Sequence, residues 1–134
     1  MPEHFNKVKS YLMELGFSPV REIEEEEIVV IDDEEQGIKN LIIDCEYPIV
    51  ILEQHIFELS SNPDAATLLS LLQMNRNVIH GAFVIDDSGK KVLFRDTLQL
   101  ENLDLNELEG SINALSLAMA ENSNELVRLA KSQG

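Results

Sequence analysis

The chain has 134 residues, 44% of them hydrophobic and 26% charged, which is ordinary globular usage at a length that suggests one domain with a sizeable core. Its 10 Lys and Arg stand against 25 Asp and Glu, a formal net charge of −15, and a surface that negative repels phosphate backbones, so a nucleic-acid partner is not expected. No apolar run approaches the roughly 20 residues of a membrane span, the Met-Pro-Glu-His start lacks the regions of a secretion signal, and a single cysteine, Cys45, excludes an intrachain disulfide; the expectation is a cytoplasmic protein with no membrane contact.

Phe5, Val8, Leu12 and Leu15 are spaced three and four apart, with Lys7, Lys9 and Glu14 between them, which predicts an amphipathic helix stopped by Gly16 and Pro19. Val20 and Ile23 then lead into Glu24 to Glu27 and the β-branched run Ile28-Val29-Val30-Ile31, a strand followed by a glycine-closed turn over Asp32 to Gly37. Two more strands are expected at Leu41-Ile42-Ile43 and at Ile49-Val50-Ile51-Leu52 running towards Phe57, with a break at Glu46-Tyr47-Pro48. Their short connections favour an antiparallel meander. Asn62-Pro63-Asp64 reads as a helix start, with Asn62 as cap and Pro63 at the first helical position. That helix carries Leu68, Leu69, Leu71, Leu72 and Met74 and ends near Asn75-Arg76-Asn77. Strands over Ile79 to Ile85 and Lys91 to Leu98 form a hairpin around Asp86-Asp87-Ser88-Gly89. Asp104, three residues before Glu107, caps a last helix through Leu108, Ile112, Leu115 and Met119, which nothing interrupts before Leu126 and Leu129. It would be roughly 40 Å long. The expected order is helix, three strands, helix, two strands, helix: an α+β domain whose antiparallel sheet has one apolar face covered by helices.

Nothing in this order looks catalytic, and no cofactor or metal is expected. His4, His55 and His80 are far apart, with no partner at metal-ligand spacing. Phosphate loops and nucleophile elbows do not occur. Cys45 reads as a small buried apolar residue, and an enzyme built on Cys45 or His80 is the least favoured alternative. The clusters Asp32-Asp33-Glu34-Glu35 and Asp86-Asp87 lack the alternating spacing of a calcium loop and read as solvated turns.

The apolar features say more. In the central helix Leu68, Leu69 and Leu72 share one side with Ala65, while Leu71 and Met74 extend round another, so the helix needs cover on two sides. The second cover is either the long C-terminal helix or a second copy of the chain. Ile49 to Leu52 is apolar on both faces: either a strand covered twice, or one whose outer face accepts a partner segment. The acidic run of Glu22, Glu24 to Glu27 and Asp32 to Glu35 reads as a solvated edge that blocks aggregation, or as a field that steers a basic partner.

Leu71-Leu72-Gln73-Met74-Asn75 leading to His80-Gly81-Ala82-Phe83-Val84-Ile85-Asp86 resembles the YbjN-like proteins, in which a helix ends in L-x-x-x-N and a strand G-x-F-x-hydrophobic-D opens a hairpin. The returning strand here is Val92 to Leu98. Leu41-Ile42-Ile43-Asp44 with Pro48 to Leu52 is similar to the acidic bacterial proteins called Tir-chaperone-like. Both groups share the type III secretion chaperone fold, and the likeness runs from about His4 to Ala130. The resemblance implies a homodimeric, acidic, cytoplasmic protein without enzymatic activity. It places the helix between the third and fourth strands at the dimer interface, which carries over to Leu68, Leu69 and Leu72. It also implies apolar grooves on the sheet and first helix that hold an extended partner segment, here Ile49, Ile51, Val8 and Leu12. The leading expectation is a dimeric, chaperone-like protein-binding module with an unknown protein client. The alternative is a small-ligand- or cation-responsive regulatory protein that uses the acidic hairpins.

Overall fold

A computed structural model describes residues 2–134. Along the chain run α1 (Pro2–Glu14), β1 (Pro19–Ile23), β2 (Ile28–Asp33), β3 (Ile38–Glu46), β4 (Ile49–Glu58), α2 (Ala65–Met74), β5 (Ala82–Ile85), β6 (Lys91–Gln99) and α3 (Leu105–Ser132), with short 3-10 turns at Glu24–Glu26, Glu34–Gln36 and Asn75–Asn77. The six strands form one antiparallel sheet in the order β1-β2-β3-β4-β6-β5. The α+β class and the helix-covered antiparallel sheet are as the sequence predicts, with three differences.

The first is β1, which the sequence reading left out of the strand order. Its residues are exposed except for the partly covered Ile23, so it shows no alternation. It is a strand because its backbone pairs with β2, from Ile23 opposite Ile28 to Pro19 opposite Ile31. Secondly, α2 begins at Ala65 and its cap is Asp64 in place of Asn62: the Asp64 carboxylate accepts from the Thr67 amide at 2.9 Å. Thirdly, β5 starts at Ala82 rather than Ile79. Gly81 turns the chain into it at φ +84°, and a Cβ at that position would lie 2.7 Å from Phe94 Cε1, so only glycine lets the backbone approach β6 this closely. Asp104 caps α3 as expected, accepting from the Glu107 amide at 2.7 Å.

Alternation along the strands sorts the sheet into two faces. Val29 and Ile31 of β2, Leu41, Ile43 and Cys45 of β3, Val50 and Leu52 of β4, and Val92 and Phe94 of β6 point inward. They join Phe5, Val8 and Leu12 of α1, Leu71 and Met74 of α2 and the inward stripe of α3 in one apolar cluster. Few polar groups interrupt it. Gln54 is buried, but its amide oxygen accepts from the Lys39 amide and its nitrogen donates to the Gly37 carbonyl, both at 3.0 Å, which staples the β2–β3 turn to β4. Ser111 Oγ donates to Asp96 Oδ2 at 2.7 Å and ties α3 to β6. All three helices thus share the inward face, and among the described residues no helix covers the outward one.

Candidate functional site: two uncovered apolar surfaces

The first surface lies on α2. Thr67, Leu71 and Met74 turn into the core, whereas Leu69 and Leu72 are 56% and 69% exposed and Leu68 is half-buried. The long α3 therefore does not cover the outer side of α2. Leu68, Leu71 and Leu72 instead line an apolar groove of about 320 Å³ with Phe83, Val84 and Ile85 of β5. Two polar anchors hold the groove's walls. Asn75 accepts from the Phe83 amide at 2.7 Å and donates to the Phe83 carbonyl at 3.2 Å, so it closes the outer edge of β5 much as a neighbouring strand would. Ser70 Oγ donates to Glu125 Oε2 at 2.7 Å, and Arg128 grips the same carboxylate through two nitrogens at 2.7 and 2.6 Å. The Arg128 bonds first, then the Ser70 bond, hold the Glu125 carboxyl down at about 2.

The second surface is the outward face of the sheet. Ile49 and Ile51 are half-buried there beside Ile42, which is 42% exposed. The register sets Ile51 between Asp44 on β3 and Thr97 on β6, and Ile42 opposite Glu53. Glu53 meets Arg95 of β6 at 3.8 Å. Asp44 is the unusual group on this face: its Oδ1 is shielded from solvent and has no hydrogen-bond partner among the described residues. Burial, then the charge of Glu46, a proton shared with Glu46 and the charges of Glu26 and Glu53 push its carboxyl up to about 6. Next to it a hollow of about 570 Å³ is lined by Glu25, Glu26, Glu27, Ile28, Asp44, Cys45, Glu46 and Tyr47.

Of the residues singled out in the sequence, Leu68, Leu69 and Leu72 fall together on the first surface and Ile49 and Ile51 on the second. Val8 and Leu12 do not join them. Both are 0% exposed beneath α1, so their expected partner contact is corrected to a core role: the stripe that makes α1 amphipathic is the one it buries. His4 stacks on Tyr47 with ring centroids 5.3 Å apart, while His55 and His80 stand exposed elsewhere. Burial, then the charges of Glu27 and Asp44, push the Cys45 thiol up to about 12, which leaves no thiolate for nucleophilic chemistry near neutral pH. Carboxylates at the hairpin tips serve their own turns. Asp86 accepts from Ser88 Oγ and the Lys90 and Lys91 amides, and Asp33 accepts from Gln36. The sequence reading missed Asp44 and the clamp made by Asn75. A lone acid inside the apolar stretch Leu41 to Cys45 was the signal for the first, and the L-x-x-x-N ending for the second.

No helix among the described residues is long and apolar enough to cross a membrane. No curated protein sequence matches the chain. Among solved structures it is similar to YbjN from E. coli, with a TM-score of 0.64 and 13% identity over 90% of this chain and 92% of that one. A chain of the heterodimeric ExoU–SpcU complex from the type III secretion system of Pseudomonas aeruginosa gives a TM-score of 0.67 and 16% identity over 93% of this chain and 98% of that one. For the complex of the Yersinia pestis type III secretion chaperone SycH with a stable fragment of YscM2, the values are 0.56 and 11%, over 94% and 98%. At such identities the likeness is one of fold, and that fold is the type III secretion chaperone fold. The profile of CesT_Tir_1, a type III chaperone family, matches residues 1–132, so the chain belongs to that family.

Proposed function

We propose that this chain is a non-enzymatic, chaperone-like protein of the cytoplasm, one domain that works as a homodimer and holds a segment of a partner protein against the outward face of its sheet. The observation that carries the reading is that face itself. It has apolar side chains at Ile42, Ile49 and Ile51 and no helix over it among the described residues, an arrangement suited to an extended segment that packs alternate side chains. The α2–β5 groove is separate and more strongly apolar, and a second copy of the chain is the occupant we assign to it, with Leu68, Leu69 and Leu72 as contacts. Family membership supports this reading, as does a structural neighbour that is itself a complex of a type III secretion chaperone with a fragment of another protein.

Affinity capture with the tagged chain, run in parallel with Ile51→Asp, tests the partner surface. Ile51 points outward between the core residues Val50 and Leu52, so the variant keeps its core and its circular dichroism. The expected result is a stoichiometric protein recovered by the wild type and lost by the variant. Recovery of the same protein in the same amount by Ile51→Asp would refute the assignment of this face.

A further inference from the structure

On the outward face Asp44 has no cationic partner among the described residues. Asp44 lies two residues before the end of β3, with Ile28, the first residue of β2, opposite on one side and Ile51 of β4 on the other, and Ile42 two residues earlier on the same face. Its Oδ1 is closed to solvent and has no hydrogen-bond partner among the described residues, so the proton Asp44 shares with Glu46 leaves that oxygen unused. The groups that bear on it from each adjoining element are acids: Glu46 on β3, Glu26 from the 3-10 turn before β2, and Glu53 on β4. Arg95, the nearby cation on β6, lies against Glu53. None of the described residues that line the adjacent hollow is basic.

We propose that the segment held on this face presents a Lys or Arg flanked by apolar residues, its cation seated over Asp44 and Glu46 and its apolar neighbours packed on Ile42 and Ile51. This rests on the reading of the outward face as the partner-binding surface and adds the chemistry of the occupant. A neutral apolar segment would remove the remaining water from the Asp44–Glu46 carboxyl pair and leave Asp44 Oδ1 without an acceptor role, which is unfavourable. A basic side chain supplies the missing charge-assisted bond in the same place. The face therefore selects against uncharged segments as well as for basic ones, and the net charge of −15 draws cationic segments towards it. A guest cation favours the ionised form of Asp44, so binding releases a proton and tightens as the pH rises through about 6.

Short random peptides displayed on phage and selected against the immobilised full-length chain are the probe. The expected peptides carry Lys or Arg between apolar residues, bind Asp44→Asn at least about tenfold more weakly, and weaken as the pH falls below that value. Peptides that lose binding in Ile51→Asp but lack a basic residue, or bind Asp44→Asn unchanged, overturn the inference and leave the outward face as the binding surface. Peptides indifferent to both substitutions, or no selected peptide at all, overturn the inference and the reading beneath it.

Discussion

Truncating Leu69 separates the dimer assignment from ordinary folding effects. Leu69 is 56% exposed on α2 and contributes nothing to the core. Full burial of a leucine is worth about 2 kcal/mol, so a two-fold contact over this residue recovers roughly 1 kcal/mol from each copy. Leu69→Ala forfeits most of that twice, about 2 kcal/mol, which corresponds to a rise of roughly 30-fold in the dimer dissociation constant. The isolated chain should hardly notice, because alanine and leucine are both strong helix formers and the site is open to water. Leu69→Asp goes further: it buries two facing carboxylates in a contact between chains that each already carry −15, and the expected product is a folded monomer. Leu71→Ala is the contrast one helix step away. Leu71 is buried, so its truncation lowers folding stability by about 2–5 kcal/mol. Analytical ultracentrifugation over a concentration series, with a thermal melt of each variant, reads both quantities. A wild type that stays monomeric at high micromolar concentration refutes the reasoning, as does a Leu69→Ala dimer as tight as the wild type.

Gly81→Ala places a Cβ 2.7 Å from Phe94 Cε1 and 2.9 Å from the Arg95 carbonyl oxygen at φ +84°; the expected loss is more than about 1 kcal/mol in urea denaturation, and an unchanged midpoint would show that β5 relaxes away freely. Asn75→Ala leaves the Phe83 amide and carbonyl without their side-chain partner, which costs about 1–3 kcal/mol; hydrogen exchange at the Phe83 amide should speed up, and unaltered protection would mean the clamp does not close the edge. Asp44 holds its proton up to about pH 6 in the folded chain against 3.8 for an ordinary aspartate. Folding therefore takes up a proton between those values, so this contribution to stability is complete below 3.8 and declines as the pH rises to about 6. Asp44→Asn removes that decline and should gain on the wild type as the pH is raised through the window; parallel stability–pH curves for the two proteins would contradict it.

Elements that bury an apolar stripe could be read from the chain alone, because periodicity of 3.6 or 2 is the direct consequence of one face meeting a core. The three helices, the runs at Ile28 to Ile31, Leu41 to Ile43 and Ile49 to Leu52, and the final hairpin all announce themselves this way, and Asp104 signals its cap by chemistry local to four residues. β1 does not, since its strand character comes from backbone bonds to β2 and its exposed side chains carry no pattern. The same logic explains Val8 and Leu12. A sequence stripe marks the residues a helix hides, so the positions most visible in the sequence are those least available to a partner.

What the residues determined by themselves is therefore the class of the fold, the absence of any familiar catalytic signature, and the surplus of leucine on α2 and of isoleucine on β4. Only the tertiary structure decided which part of that surplus stays uncovered. It turned Leu71 and Met74 inward, left Leu69 and Leu72 outside, and set α3 where it covers the sheet but not the far side of α2. It also decided that, among the described residues, Asp44 finds acids rather than a base around it, because cross-strand register brings Ile28, Ile51, Glu53 and Glu26 near it from separate segments. Burial and charge balance are sums over neighbours distant in sequence, and those neighbours exist only once the sheet has formed.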